Sequence, residues 1–161
     1  GGSGKSTRAG ELTEALGAPA ISVDSFARNH LEGGRTWDSV DFARLEREVL
    51  GPFLAGQNPI SHGHYDSGAN TVIKTNEVRH DGLLIVEGVG LLRPELLKYF
   101  AYKIWIDVPI EEAIARGKKR DREVHHNPQD ERWDGVWKQN DLKYFETYKP
   151  NDLADLIIDS A

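Results

Sequence analysis

Gly1-Gly2-Ser3-Gly4-Lys5-Ser6-Thr7 opens the chain, and Lys5 to Leu16 then reads as a helix closed by Gly17 and Pro19. The Gly4-Lys5-Ser6 core matches the second half of the pattern for a phosphate-binding loop. Glycines let the backbone curl so that successive N–H groups point at one phosphate. The helix that follows adds the partial positive charge of its N-terminus. Lys5 can reach the outer phosphates, and the Ser6 hydroxyl suits Mg²⁺. Residues Gly1 to Thr7 are therefore the expected nucleotide-binding loop. A glycine–serine linker is the plain alternative, but a linker has no need of Lys-Ser-Thr running straight into a helix.

Beyond the loop, short apolar runs alternate with longer amphipathic stretches. Ala20 to Val23 reads as a strand stopping at Asp24. Residues 41–55 carry apolar side chains at Phe42, Leu45, Val49, Phe53 and Leu54, near helical period, with Gly56 after them. Leu83 to Val86 and Lys103 to Ile106 read as strands ending at Glu87-Gly88 and at Asp107. Ile110 to Arg120 and Trp133 to Tyr148 read as helices, the second closed by Pro150, and Leu156 to Ile158 as a final strand. Strands separated by helices imply crossovers and a parallel sheet. The expected fold is α/β, a P-loop NTPase fold with a parallel sheet of about five strands flanked by helices, in a single domain spanning 1–161. A loop of this kind follows a buried strand, and the first glycine of its pattern falls ahead of Gly1. The natural chain is thus expected to extend upstream, and the first strand to lie outside this sequence.

In parallel sheets the ligand lies beyond the carboxyl ends of the strands. Asp24, Glu87 and Asp107 all fall there, although acids also follow strands as helix caps. Phosphoryl transfer needs positioning, charge neutralisation and often a base for the attacking hydroxyl. Asp24 is the candidate base and can also hold Mg²⁺ through water. Glu87 is the candidate second acid at the metal, and Gly88 beside it permits close backbone approach.

Arg116, Lys118, Lys119, Arg120 and Arg122 form the dense basic cluster, with Arg116 and Arg120 on one helix face. They read as a mobile cationic lid, around 116–132, that closes on a triphosphate. A solvated helix face with local ion pairs is the bland alternative, because Glu111, Glu112, Asp121 and Glu123 lie nearby. His62, His64, His125 and His126 lack the i, i+4 spacing of a helical zinc pair and read as loop residues. Trp133, Trp137, Tyr144, Phe145 and Tyr148 recur near helical spacing and read as packing of the last helix onto the sheet.

Composition narrows the classes. The net charge of −6 disfavours general nucleic-acid binding. No apolar run is long enough to cross a bilayer. The absence of cysteine excludes disulfides and thiolate zinc sites and fits a cytoplasmic protein. The Asn-Lys-x-Asp motif of GTPases is absent, Asn140-Asp141 lacking the lysine between them.

Asp24-Ser25-Phe26-Ala27-Arg28, taken with the loop, resembles the uridine kinase family, whose members carry an Asp-Ser-Phe-Tyr-Arg-like stretch there. Further segments follow in the same order: Thr36-Trp37-Asp38, His64-Tyr65-Asp66, Leu84 to Gly88, Lys103 to Asp107, and Ala115-Arg116 through Arg120-Asp121. The resemblance spans nearly the whole chain. It implies that Asp24 takes the proton from a sugar hydroxyl, that Asp38 binds ribose hydroxyls, and that Tyr65 contacts base or sugar. It also implies that Arg120 neutralises phosphates from the lid, with Arg116 and Arg122 as weaker correspondences. Ala27 departs from the family's Tyr, and Ser39 from a frequent His. Asn70 stands near the His of a Ser-His pair that contacts the pyrimidine.

The expected activity is transfer of the γ-phosphate of ATP, with Mg²⁺, to a hydroxyl of a small molecule, foremost a uridine- or cytidine-like nucleoside. Nicotinamide riboside, pantothenate or a sugar phosphate are alternative acceptors, and a non-catalytic nucleotide-binding module is the alternative class. No nucleic-acid or membrane partner is expected, and a homo-oligomer is left open.

Overall fold

A computed structural model describes residues 1–28 and 36–160. They gather into two compact units, one of residues 1–5, 36–37 and 90–160, the other of residues 6–28 and 38–89.

The second of these units carries most of the expected early elements. Helix α1 spans Lys5–Leu16 and stops at Gly17, whose φ of 64° is the left-handed geometry of a helix C-terminus. Strand β1 (Ala20–Ser22) is followed by a tight 3₁₀ turn over Val23–Phe26. Val23 therefore leaves the strand in which its apolar side chain placed it. Ser22 causes this, because its hydroxyl accepts from the Asp24 N–H at 3.3 Å and caps the turn. Helix α2 (Phe42–Leu45) is capped by Asp41, whose carboxylate accepts from Arg44 N at 2.9 Å. It runs through a wide π-type turn, Glu46–Leu50, into α3 (Gly51–Leu54). Leu45, Val49 and Leu50 point into a core with Ile21, Val23, Phe26 and Ile60.

An antiparallel hairpin then forms from β2 (Ile60–Asp66) and β3 (Thr71–Val78). No alternating apolar pattern marks it, and His62 and His64, expected in a loop, both lie in β2. The polar composition hid the strand. Ile60 and His62 face inward, and the register then shifts between His64 and Tyr65, so that Tyr65 is the next buried residue. Strand β3 is mostly exposed and carries no apolar stripe. The unit ends with β4 (Ile85–Glu87), paired in parallel with β1, Ser22 opposite Glu87.

The other unit holds β5 (Ile104–Asp107), α4 (Ile110–Glu123), a short α5 (Asp130–Arg132), a π-type turn over Trp133–Trp137, α6 (Lys138–Tyr148), α7 (Pro150–Leu153) and β6 (Leu156–Asp159). Glu111 and Glu112 in the first turn of α4, and Arg120 and Arg122 in its last, match the helix dipole. The expected helix 133–148 forms but breaks its geometry at Gly135 (φ −104°, ψ −107°). Lys149, at φ 44°, and Pro150 end it. Tyr144 is buried and donates to the Leu92 carbonyl at 3.0 Å, and burial raises its phenol pKa. Trp133 and Tyr144 are buried as expected of packing residues, whereas Phe145 is largely exposed.

The protein is α/β with parallel strand pairing, as the alternation implied. The expected sheet of about five strands is corrected in form. All four parallel strands that the sequence supplies are present, and among the described residues they pair two and two, β1 with β4 and β5 with β6. No helix among the described residues is long and apolar enough to cross a membrane.

Candidate active site

Gly2 and Gly4 both adopt positive φ, 72° and 89°, the curl that the phosphate-loop reading requires. The missing side chain at Gly2 also matters for packing: a Cβ there would sit 2.0 Å from the Ala113 carbonyl oxygen of α4. The loop thus lies directly on α4. Lys5 begins α1, and its ammonium donates to Ser3 Oγ at 3.2 Å. Gly1 packs under the indole of Trp133, and Thr7 lies exposed on α1.

Ser6 and Glu87 meet. The Ser6 hydroxyl donates to Glu87 Oε1 at 3.2 Å, joining the first turn of α1 to the carboxyl end of β4. Glu87 owes its place to Gly88, which has φ 147° and lets the chain pass against Val23; a Cβ at Gly88 would be 2.0 Å from Val23 Cγ2. A hydroxyl and a carboxylate form a hard oxygen donor set. Magnesium is commonly held by one or two carboxylates plus substrate phosphates rather than by an all-protein cage. Among the described residues no group of three or more His, Asp or Glu gathers as a metal centre. The Ser6 hydroxyl and the Glu87 carboxylate are oxygen donors of the kind that fit magnesium carried with a nucleotide.

Asp24 sits in the turn after β1, with its side chain exposed. The turn itself is held from below. Arg44 donates through Nη2 to the Ser25 carbonyl, and it lies within 3.4 Å of the Gly63 carbonyl on β2. Its guanidinium also stacks 4.7 Å from the Phe26 ring centroid. Glu48, one helical turn on, accepts from Gly63 N at 3.0 Å. Ser25 Oγ lies 3.2 Å from His64 Nδ1, and His62 stacks on Phe26 with centroids 5.3 Å apart. Arg44 and Glu48 were not singled out in the sequence; Ser25 and His64 entered only as members of the family-like segments, and His64 as an expected loop residue. The only sequence signal was the i, i+4 spacing of Arg44 and Glu48, which says nothing about the strand they grip.

On the expected acceptor side, Asp38 is exposed, and its carbonyl accepts from Arg28 Nη2 at 3.1 Å. Ala27 and Val40 bridge the same two chain segments. Tyr65 is buried and its hydroxyl donates to Asn70 Oδ1, so Asn70 is engaged with the tyrosine beside it. Trp37 is anchored from its own unit: its N–H donates to Asn140 Oδ1 at 2.8 Å and its indole to Asp141 Oδ1 at 2.9 Å. This gives Asn140-Asp141 a structural task. Asp107 accepts from Trp105 Nε1 at 3.1 Å.

The basic cluster of α4 is laced with ion pairs. Arg116 binds Glu112 and also the Ser160 carbonyl at 2.7 Å; Lys118 binds Asp134 at 2.6 Å; Arg122 binds Asp130. Arg120 binds its neighbour Asp121 through both Nε (3.1 Å) and Nη2 (2.9 Å). Glu112 and Asp121 are among the neighbouring acids of the local-pairing alternative, whereas Lys118 and Arg122 pair with Asp134 and Asp130, which lie beyond α4. Arg120 differs in that its partner is buried.

No protein-family model and no curated protein matches the sequence. Solved structures do. One, from Bacillus stearothermophilus and provisionally named a uridine kinase, superposes with a TM-score of 0.68 at 21% identity, covering 98% of this chain and 83% of its own. Another, from Silicibacter sp. TM1040 and provisionally named a fructose transport system kinase, gives 0.66 at 21% identity, covering 97% and 84%. At that identity the likeness establishes the fold: this chain has the fold of these two proteins, both of them named as kinases.

Proposed function

We propose that the protein is an ATP-dependent phosphotransferase of the P-loop class that phosphorylates a hydroxyl of a small molecule, most simply a uridine- or cytidine-like nucleoside. The observation that carries this reading is the Ser6–Glu87 pair, a hydroxyl and a carboxylate brought together at the start of the helix that follows a glycine loop. The resemblance of Asp24 to Arg28 to the uridine kinase family supports it, as do the kinase names of proteins sharing the fold.

In this reading Gly1 to Thr7 bind the polyphosphate, with Lys5 against its outer oxygens. Asp24 accepts the proton of the acceptor hydroxyl as its oxygen bonds to the γ-phosphorus and the bond to the ADP oxygen breaks. Arg120 offsets charge on the transferred group from a lid around 116–132, in which Arg116 contacts the nucleotide and Arg122 the acceptor. Asp38 and Tyr65 orient the sugar. Magnesium would be held by Ser6 and Glu87, with Asp24 reaching it through water, and would neutralise charge on the phosphate oxygens.

The test is a panel of alcohols with ATP and Mg²⁺, following ADP release above the rate without acceptor, with uridine and cytidine first. Release stimulated by a nucleoside is expected. Stimulation only by nicotinamide riboside, pantothenate or a sugar phosphate would keep the reaction and discard the acceptor. ATP binding with no stimulated release would leave a nucleotide-binding module.

A further inference from the structure

Arg120 and Asp121 are consecutive on α4, and consecutive helical residues ordinarily point apart. Here they form a two-pronged pair all the same. Asp121 lies at the bottom of it, with a side chain only 7% exposed, whereas the Arg120 side chain is 50% exposed. A carboxylate so placed is costly unless charge and hydrogen bonds compensate it. Its other oxygen, Oδ2, accepts from the indole N–H of Trp133 at 2.7 Å. Trp133 is itself almost fully buried, and its ring fills the space above Gly117; a Cβ at Gly117 would be 2.3 Å from the ring. The Arg120 guanidinium carbon rests 6.0 Å from the centre of the same ring. The wide turn over Trp133–Trp137 sets the indole in this position.

We infer that Asp121 and Trp133 are positioning residues that aim Arg120 at the polyphosphate. Asp121 engages the Nε and one Nη2 hydrogen of the guanidinium. That fixes its plane and leaves the Nη1 group to donate outward to a phosphate oxygen. Trp133 fixes Asp121 and, by lying on Gly1 as well, ties the aim of the arginine to the phosphate loop. The preorganised donor costs no reorganisation when charge develops. The inference rests on the nucleotide-binding reading proposed above.

The experiment is a double-mutant cycle read as the ATP·Mg²⁺ dissociation constant. It uses Asp121→Asn, Trp133→Phe, Arg120→Ala and the two doubles that contain Arg120→Ala, with folding of each checked by circular dichroism. Trp133→Phe keeps an aromatic ring at the site and removes the N–H together with part of the indole's packing on Gly1 and Gly117. Each of the two positioning variants should weaken binding by about 10-fold, the scale of one weakened hydrogen bond to a charged group, and should add nothing in the Arg120→Ala background. Unchanged affinity in both variants, or losses that simply add to that of Arg120→Ala, would overturn the inference. The cycle needs no acceptor. A coupled cycle in a protein that phosphorylates nothing would support this inference and sink the kinase reading, and a wild type that binds no ATP would overturn both.

Discussion

The hydroxyl of Ser6 and the carboxylate of Glu87, 81 residues apart in the chain, lie within hydrogen-bonding distance at 3.2 Å. The contact is solvent-exposed, so as a stabilising bond it contributes little, about 1 kcal/mol or less. Its placement makes sense as a metal-binding pair. Ser6→Ala and Glu87→Gln are therefore expected to leave the unfolding midpoint nearly unchanged. Both should raise the Mg²⁺ concentration needed for half-maximal ADP release and lower kcat/KM by about 10²- to 10³-fold, the range for a lost transition-state contact. A magnesium titration of each variant reads this directly. Wild-type magnesium dependence in both would remove the pair from the metal site.

Asp24 is held in place through its backbone, by the Ser22 hydroxyl and by Arg44 on the neighbouring carbonyl, while its side chain stays exposed. Asp24→Asn keeps the shape and removes the base. Turnover should fall by about 10² to 10⁴, with the ATP dissociation constant near that of the wild type. Product formation at the wild-type rate would show that Asp24 is not the base.

Much of this arrangement was legible in the sequence because it depends on local rules. Gly17 and the helical period fixed both ends of α1, and apolar runs located every parallel strand to within a few residues. Glycine beside Glu87 signalled close backbone approach, which is what Val23 makes of it. The hairpin was hidden for a physical reason. Its inward residues are Ile60, His62 and Tyr65, their alternation broken by a register shift, and its second strand has no buried stripe. The grip of Arg44 and Glu48 on β2, and of Asp121 on Arg120, are long-range or against-the-rule contacts that no periodicity encodes.

Gly88 tests the packing behind Glu87. Its φ of 147° suits glycine, and a methyl group there would collide with Val23, which is fully buried. Gly88→Ala should cost about 2–4 kcal/mol by combining backbone strain with overpacking, lowering Tm by about 4–16 °C. Val23→Ala in the same chain should relieve the collision but not the strain, so the double variant should be more stable than the two separate losses would sum to. Strict additivity, measured by denaturant unfolding, would show that the two residues do not collide.

Arg44 and Arg47 lie one turn apart on the same helical run, yet their circumstances are opposite. The Arg44 side chain is 12% exposed and bonds the Ser25 and Gly63 carbonyls, whereas that of Arg47 is 68% exposed and pairs with Glu48. Arg44→Met would leave two carbonyls short of a donor and take away the cation 3.7 Å from the Glu48 carboxylate, a loss of about 2–4 kcal/mol. Arg47→Met should stay within about 0.5 kcal/mol, as an exposed ion pair does. The same contacts hold the Asp24 turn against the strand that bears His64 and Tyr65, so Arg44→Met should also raise KM for the acceptor more than it raises KM for ATP. The pair of unfolding curves and the two KM values decide this. Equal stability losses in the two variants, or a KM change confined to ATP, would mean that Arg44 does not hold the acceptor side of the site together.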